Sequence, residues 1–450
     1  MLKQNWILIL ILLPFLEFSQ NDSLFIRKIY DECLEKGHSY EDLRSLCKEI
    51  GPRLSGSPQA QMSVFWSEEK MNSYGFDKVY KQEIKVPVWK RGNKETAWIK
   101  KEKEWIPLHI LALGGSVSTN GLLSGELVIF QNLDELKKAN PKNVEGKIVF
   151  LNQTFDQKDI NTFKAYGGCY SIRGEGAIEG AKKGAKGVLI RSLASGIDTH
   201  PHTGSMHYDD NVKKIPAAAV STSDAELLQN IIGKIELFWE MDCFSGEEVT
   251  SYNVIAEITG TKLPNEIITF GGHLDSWDVG EGAHDDGAGV IHCLEALRVL
   301  KALNYKPQHT LRVVFFMNEE NGNKGGLGYA EWVKNKGEKH IFALESDRGG
   351  FTPKGFSCDG NFNLIKEKIN LYSLYKPYEV YEFEKGYGGV DINPLKKMYP
   401  DILLFGFVPD SQRYFDFHHA ESDVFEAVNK RELELGCAAI TSFIYLLDNL

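Results

Sequence analysis

The stretch GGHLDSWDVGEGAHDDGAG, residues 271–289, constrains the fold of this chain more than any other segment. It places His273 at the end of an apolar run and Asp285, twelve residues further on, in a glycine-rich turn. Apolar residues then recur at helical spacing from Val290 to Leu297. Glycines let backbone segments approach closely, and histidine and aspartate bind divalent metals. The pattern therefore predicts a strand, a turn and a helix, with metal-binding side chains at their junction.

Three apolar runs in the second half of the chain end close to acidic or imidazole side chains. The runs and the residues that follow them are Ile267 to Phe270 with His273, Leu311 to Met317 with Glu319 and Glu320, and Ile341 to Leu344 with Asp347. Continuous apolar strands favour a sheet that is buried on both faces. Ligand sites of such sheets lie beyond the carboxyl ends of the strands. We therefore predict an α/β fold with a mixed, mainly parallel central sheet covered by helices on both faces.

Residues 112–250 differ in character, because short apolar runs alternate there with turns and small-residue helices. We predict an inserted α/β domain in this range. Residues 21–111 and 251–450 would then form the catalytic domain, with a propeptide at the start of the first segment left open. No residue set in the insert resembles a catalytic site. One polar loop contains three histidines, His200, His202 and His207. Solvated side chains explain this group better than a metal cluster does.

The amino terminus has the pattern of a secretory signal peptide over residues 1–20. Lys3 supplies positive charge, and Trp6 to Phe15 is an apolar stretch of ten residues, whereas a membrane-spanning helix needs about 20. No later apolar run reaches that length. We therefore predict a secreted protein without a membrane anchor. Two N-x-[ST] triplets make Asn21 and Asn152 candidates for glycosylation in that compartment.

Composition argues against one class of partner, nucleic acid, and against one use of the cysteines, a structural zinc cluster. The net charge of −11 argues against nucleic acid as a partner, because polyanion binders need basic surfaces. The seven cysteines lack C-x-x-C spacing, which argues against a structural zinc cluster. An odd number leaves at least one thiol unpaired within the chain. Cys293 lies on an apolar helix face and is predicted to be a free core residue.

The acidic and imidazole residues together fit metal-assisted hydrolysis. If a turn follows the strand, Glu319 and Glu320 can point in different directions, one to a metal and one to a water molecule. Asp275 lies two residues after His273, so its carboxylate can accept the second imidazole proton and fix the ring. One residue of the pair His418-His419 can bind metal, while Asp423 supports the loop or the ring. These residues predict a site for two metal ions.

The order of the motifs GGHLDS, GAHDDGAG, NEENG, ESDRGG and FHHAESD closely resembles the dizinc peptidase family that includes secreted aminopeptidases and glutamate carboxypeptidases. The resemblance extends over essentially the whole chain after the signal peptide, and it is strongest for a secreted carboxypeptidase branch of the family. The predicted insert resembles a protease-associated domain. The combination of motifs is specific, whereas each motif alone is much less so.

The resemblance implies a role for each site residue. Asp285 bridges two zinc ions, and Glu319 is the general base. Asp275 orients His273. The remaining implied zinc ligands are His273 and Asp347 for one ion, and Glu320 and His419 for the other.

His419 is preferred over His418 because the family pattern places the ligand four residues before an aspartate, here Asp423. Val424 follows, where the family usually has threonine. Residues 386–391 resemble the glycine-rich loop that flanks the substrate in the family. The resemblance further implies a homodimeric exopeptidase for dipeptides or short peptides, secreted or held in the endoplasmic reticulum, Golgi or lysosome.

Three other functions are compatible with this fold. An aminopeptidase of the same superfamily is the nearest alternative, and testing dipeptides with blocked or free ends separates the two. A glutaminyl cyclase would use one zinc ion, and a receptor-like ectodomain would have lost its metals. The complete set of implied ligands argues against both of these, and the predicted insert argues further against the cyclase. The residues alone do not specify the preferred substrate side chains.

Overall fold

A computed structural model gives the fold and describes residues 21–450. The predicted signal peptide, residues 1–20, lies outside the described residues. The helices are α1 (21–36), α2 (Ser39–Ser45), α3 (Pro58–Ser73), α4 (Leu133–Lys138), α5 (Thr162–Lys182), α6 (Thr222–Asn230), α7 (Ala288–Ala302), α8 (Lys324–Lys336), α9 (Asn363–Lys366), α10 (Leu371–Tyr375), α11 (Leu395–Met398) and α12 (Lys430–Asp448). Short π or 3₁₀ turns occupy Leu46–Ile50, Pro141–Asn143, Ala283–Gly287, Lys376–Tyr378, Tyr414–Asp416 and Phe425–Ala427.

The strands all belong to one hydrogen-bonded sheet. They are β1 (Lys78–Lys101), β2 (Glu104–Leu108), β3 (Ile110–Ala112), β4 (Leu123–Phe130), β5 (Ile148–Leu151), β6 (Gly187–Arg191), β7 (Ala217–Val220), β8 (Ile235–Ile258), β9 (Leu263–His273), β10 (His309–Phe316), β11 (Lys339–Glu345), β12 (Pro353–Asp359), β13 (Glu382–Lys385) and β14 (Leu403–Pro409). The main order is β13-β12-β14-β11-β9-β10-β8-β4-β5-β6-β7-β3, and β1 pairs with β2 and β8.

The three apolar runs form neighbouring strands at the centre of the sheet. β9 lies between β10 and β11 and is parallel to both, with Phe270 opposite Val313 and Leu344. Every residue of β10 is buried. Val313 and Phe315 face a core that contains α7 and α12, whereas Val314 and Phe316 face α8. The predicted mixed, mainly parallel sheet with helices on both faces is therefore confirmed.

A long two-stranded ribbon connects the two halves of the sheet. β1 and β8 are antiparallel from the pair Lys78 and Glu257 to the pair Lys100 and Glu236. The predicted domain boundary at residue 250 falls inside β8. In β8 buried residues alternate with more exposed ones from Ile235 to Cys243, residues 244–249 are exposed, and residues 253–258 are all buried. The first two parts therefore lack the continuous apolar run that identifies the central strands. The extent of the insert remains a prediction.

The small-residue stretch 174–184 predicts one of the helices of the insert, but the observed helix α5 begins twelve residues before that stretch, at Thr162. Its first half is aromatic, and Phe163 and Tyr166 pack on Phe415 from the distant loop after β14. Asn161 caps the helix by accepting hydrogen bonds from the N–H groups of residues 163 and 164. Because the partner ring lies some 250 residues away, the local sequence did not reveal this half of the helix.

One of the two glycosylation candidates is buried in the folded chain. Asn152 is 1% exposed, and its amide donates to Gln229 Oε1 at 2.7 Å while its oxygen accepts from Arg191. A glycan has no room there, so the glycosylation candidate Asn152 is wrong, and Asn21 remains a candidate.

All seven cysteines are buried and unpaired, including Cys293 as predicted. No helix within residues 21–450 has the length and apolar character to cross a membrane.

Candidate metal centre

The strand ends converge as the sequence predicted. His273 closes β9, Glu320 lies in the turn after β10, and Asp347 follows β11. Asp285 lies in the turn before α7, and His419 lies in the loop after β14. The ligand-type atoms form two groups that share Asp285. The distances are 3.3 Å from His273 Nε2 to Asp285 Oδ1, 3.4 Å from His273 Nε2 to Asp347 Oδ1, 3.3 Å from His419 Nε2 to Asp285 Oδ2, and 3.1 Å from His419 Nε2 to Glu320 Oε2.

The donor atoms suit metal ions. His273 Nε2, Asp285 Oδ2 and Glu320 Oε1 are buried without a hydrogen-bond partner among the described residues. Buried polar atoms are rarely left unpaired, because desolvation without a partner is costly. The donor atoms of His273, Asp285 and Asp347 lie within 4.8 Å of one another, and so do those of Asp285, His418 and His419. Glu320 adjoins the second set through its contact with His419. Nitrogen and carboxylate oxygen donors at this spacing fit zinc.

The buried acids of the site would be stabilised in their ionised form by bound cations. Burial raises the pKa values of Glu320 and Asp347, and the charge of Asp285 raises them further. Burial is the largest single influence on Asp285 and opposes its ionisation, but the neighbouring imidazoles of His273, His418 and His419 together outweigh it and hold the Asp285 pKa well below its ordinary value. Burial lowers the pKa of His419, which keeps the ring neutral as a metal ligand requires. Bound dications would let the acids ionise together.

Asp285 and Asp286 are adjacent but face different partners. Asp286 accepts hydrogen bonds from the N–H groups of His273 and Gly289, both at 3.0 Å. It thereby ties the end of β9 to the start of α7 and leaves Asp285 facing the cavity. Asp423 accepts from the N–H groups of His284 at 2.7 Å and Asp285 at 3.1 Å. Asp423 therefore supports the loop, one of the two roles considered from the sequence.

Two glycines of the 271–289 stretch are needed for close packing. A Cβ atom on Gly289 would lie 1.8 Å from the backbone oxygen of Ser346. A Cβ atom on Gly272 would lie 2.3 Å from Asp286 Oδ2. Neither contact can be relieved without moving the end of β11 or the ligand turn. The glycines thus let three elements meet beneath the metal ligands.

The contact between Asp275 and His273 differs from the expected one. His273 Nδ1 donates to the backbone oxygen of Asp275 at 2.9 Å, whereas the Asp275 carboxylate lies 3.9 Å away. The carboxylate oxygen Oδ1 instead accepts from the N–H groups of Asn318 at 2.7 Å and Glu319 at 3.2 Å. Asp275 still orients the ring, but through its carbonyl group. Its carboxylate fixes the turn that carries Glu319 and Glu320.

The two neighbouring histidines are distinguished by Glu320. His418 Nε2 lies 3.6 Å from Asp285 Oδ2, so both rings face that carboxylate. Only His419 also approaches Glu320 among the ion pairs of residues 21–450. The rings are stacked, with centroids 3.5 Å apart. His419 is thus the ring that contacts both carboxylates, and its choice over His418 as the ligand stays a prediction.

A cavity of about 500 Å³ is lined by Asp285, Glu320, Asp347 and His419. Tyr387, Gly388, Gly389 and Val390 form one wall, which places the predicted glycine-rich loop beside the site. Buried Glu345 holds that loop by accepting hydrogen bonds from its N–H groups. The sequence analysis missed part of the opposite wall, which comes from α5 and the loop after β6: Phe163, Tyr166, Tyr170, Arg173 and Ser205.

The three histidines of the polar loop have separate partners. His200 Nδ1 lies 2.7 Å from Glu421 Oε1, and His207 Nε2 lies 3.3 Å from the Tyr170 hydroxyl. His202 is buried, and its Nδ1 lies 2.6 Å from the backbone oxygen of His418. The expectation of solvated side chains is therefore wrong for His202. Its distant partner was not visible in the local sequence.

Comparison with known proteins agrees with this arrangement. Residues 253–442 match the profile described as Peptidase family M28. The chain is 34% identical over 417 residues to carboxypeptidase Q of Bos taurus, covering 91% of this chain and 85% of that protein. It is 34% identical to the crystal structure of a peptidase M28 precursor from Shewanella amazonensis SB2B, with a TM-score of 0.91 and coverage of 96% and 98%.

A more distant structure shares the fold. A zinc aminopeptidase from Bacillus subtilis superposes with a TM-score of 0.65 at 20% identity, covering 91% of this chain and 94% of that one. The match to carboxypeptidase Q extends through the 112–250 range as well as the metal centre. Because identity of this level runs over nearly the whole chain and the family profile covers the residues of the site, the protein belongs to peptidase family M28 and is a metallo-exopeptidase.

Proposed function

We propose that this protein is a secreted dizinc exopeptidase that hydrolyses dipeptides or short peptides, with Glu319 as general base. The observation that carries the proposal is the sharing of Asp285 between two groups of buried ligand-type atoms. A carboxylate with one oxygen toward each group can bridge two ions. The carboxypeptidase Q relatives support the same reaction class.

His273 and Asp347 would hold one zinc ion, Glu320 and His419 would hold the other, and Asp285 would contact both. Bound there, zinc would supply Lewis-acid chemistry, which polarises a scissile carbonyl and lowers the pKa of a metal-bound water. The protein's contribution is a preformed ligand set. Asp286, Asp423 and the Asp275 carbonyl fix the elements that carry these ligands, as second-shell hydrogen bonds do in other metal sites.

Glu319 is suited to proton transfer because it lines the cavity, while the ion-pair contact with His419 is made by Glu320. Its backbone is fixed by Asp275, so the carboxylate is held beside the ligands without binding them. In the proposed reaction Glu319 takes a proton from the attacking water and delivers it to the leaving amine. The water oxygen adds to the carbonyl carbon, the C–N bond breaks, and the amine leaves with the proton that Glu319 took from the water.

Arg348 supports recognition of a free substrate carboxylate. It follows Asp347, lines the cavity, and stacks over the Phe163 ring at 5.4 Å. Within residues 21–450 its guanidinium makes one hydrogen bond, from Nη2 to the Tyr387 oxygen at 3.2 Å. The remaining donors can pair with a carboxylate, which arginine binds through two parallel hydrogen bonds.

We expect Arg348→Leu to lower kcat/KM for an unblocked dipeptide by about 10- to 100-fold, because a hydrogen bond to a charged group contributes about 1.5–3 kcal/mol. The loss should appear mainly in KM, and it should vanish for a substrate whose carboxyl end is amidated. Arg413→Leu is the matched control, because Arg413 stacks on Phe417 outside the cavity. Equal kinetics of Arg348→Leu and the unaltered enzyme on both substrates would contradict this role.

Aminopeptidase activity is the second candidate, because the cavity contains carboxylates beyond the ligand set. Glu319 and Glu345 both line it and would attract a substrate ammonium group. Dipeptides with either end blocked decide between the two, measured before and after chelation. Our proposal requires chelator-sensitive hydrolysis that survives amino-end blocking and is strongly slowed, to a rate that is still measurable, by carboxyl-end blocking. The reverse pattern identifies an aminopeptidase. Hydrolysis that is unaffected by the chelator would rule out both the proposed activity and the aminopeptidase.

Three further expectations belong to this proposal. Residues 1–20 would be removed on secretion, which supports a role outside the cytosol or in the lysosome. Residues 112–250 would form a protease-associated domain whose helix α5 provides the aromatic wall of the cavity. The enzyme would be a homodimer, as the family resemblance implies. Mass spectrometry of the secreted chain and light scattering in solution test the first and the last.

A further inference from the structure

His419 has an unusual backbone conformation that needs support from its surroundings. Its φ of +65° lies in the left-handed region, which residues other than glycine seldom adopt. Such conformations are energetically unfavourable and persist where neighbouring groups over-determine them. The support comes from Thr203, whose N–H donates to the His419 backbone oxygen at 3.0 Å. Thr203 belongs to the loop after β6 and lies 216 residues before His419.

The same threonine sets the tautomer of the His419 ring. His419 Nδ1 lies 3.2 Å from the Thr203 backbone oxygen. Nδ1 also lies 3.4 Å from Arg173 Nη1, which can only donate, but the Thr203 oxygen is nearer and can only accept. The shorter contact therefore places the proton on Nδ1 and leaves Nε2 with a free lone pair. That lone pair faces Asp285 and Glu320. Arg173 Nη1 also lies near the Thr203 oxygen, at 3.4 Å, and adds a second donor to it.

His202 secures the residue before His419. Its Nδ1 donates to the His418 backbone oxygen at 2.6 Å, and the ring is 1% exposed. The His202 N–H donates to Ser192 Oγ at 2.9 Å, and that hydroxyl donates to the Val220 oxygen at 2.7 Å. Two consecutive residues of one loop therefore hold two consecutive residues of the other. We call His202 and Thr203 the 202–203 clamp.

We propose that the 202–203 clamp is a positioning element for the second metal ion, fixing the backbone, the ring orientation and the tautomer of His419. The inference rests on the proposed function, since it takes His419 as a zinc ligand. It assigns to the 112–250 range a part in building the metal centre, beyond forming a cavity wall. Outer partners of this kind typically change metal affinity by about 10- to 100-fold.

The test uses His202→Leu, which removes the donor and keeps a buried apolar side chain. His202→Asn is the rescue variant, because its amide nitrogen can donate from the position of Nδ1. His207→Leu is the matched control, since His207 is an exposed histidine of the same loop that contacts Tyr170. Zinc affinity is measured on the full chain by competition with a chromophoric chelator, and thermal unfolding of the metal-free proteins reports folding.

We expect one of two zinc ions to bind about 10- to 100-fold more weakly in His202→Leu, while the other binds as before. His202→Asn should recover most of the affinity, and His207→Leu should match the unaltered chain. Unchanged affinity for both ions in a folded His202→Leu protein would overturn the inference. Failure of the unaltered chain to bind two zinc ions would instead reject the proposed function, so the two failures are distinguishable.

A spectroscopic measurement on the unaltered chain keeps the inference testable if His202→Leu does not fold. Histidine ¹⁵N chemical shifts of the zinc-loaded protein report which ring nitrogen binds metal and which carries a proton. The 202–203 clamp requires a metal-bound Nε2 and a protonated Nδ1 for His419. A metal-bound Nδ1 would overturn the inference, because Thr203 would then have no ring proton to accept.

Discussion

Glu319→Gln is expected to lower kcat on a dipeptide substrate by about 10²- to 10⁴-fold, the range that general acid–base catalysis contributes. The amide keeps the size of the carboxylate but cannot take a proton from the attacking water. Zinc content should stay at the level of the unaltered enzyme, because Glu320 is the glutamate of the pair that contacts His419. The measurements are steady-state kinetics and metal analysis of the same purified sample.

Glu320→Gln is the matched comparison, since it makes the same substitution in the neighbouring residue. Glu320 Oε2 lies 3.1 Å from His419 Nε2, and Oε1 is buried without a partner, so this variant is expected to lose zinc. The two variants together separate the base from the ligand. Substantial activity in Glu319→Gln would refute its role as base, and zinc loss there would place it among the ligands.

Asp285→Ala has the second large expected effect, loss of both zinc ions and of activity. Asp285 is shared by both ligand groups, so its removal leaves His273 with Asp347 and Glu320 with His419. Neither remaining pair offers the three or more protein ligands that zinc sites use. Burial has raised the pKa values of the remaining acids, which can then hold protons in place of metal.

Metal analysis after dialysis gives the zinc content of Asp285→Ala per chain. Asp410→Ala is its control, because Asp410 is a half-exposed acid that pairs with Lys354 away from the cavity. That variant should keep the zinc content and activity of the unaltered enzyme. If Asp285→Ala retained two zinc ions per chain, Asp285 would not be the bridging ligand.

The sequence was sufficient for the parts of the site that depend on local order along the chain. His273, Glu320 and Asp347 each follow an apolar run, and parallel strands bring such positions to one edge of the sheet. The turn after β10 brings both Glu319 and Glu320 to the cavity, and the division of base and ligand between them stays a prediction. The preference for His419 over His418 stays a prediction as well.

The features that the sequence did not reveal all depend on partners far away in the chain. His202 meets His418, and the first half of α5 meets Phe415. Asn152 is buried against Gln229. The Asp275 carboxylate, although close to His273 in sequence, turns to the backbone after β10. Periodicity and motif spacing describe which residues a segment contains, whereas these contacts depend on how separate segments pack.

The central claim is that two zinc ions share Asp285 in one cavity. Anomalous diffraction recorded on both sides of the zinc absorption edge tests it most directly, using crystals of the zinc-loaded enzyme. The account predicts two zinc peaks that both contact Asp285, one beside His273 and Asp347 and the other beside Glu320 and His419. A single peak, or two peaks that do not share Asp285, would contradict it.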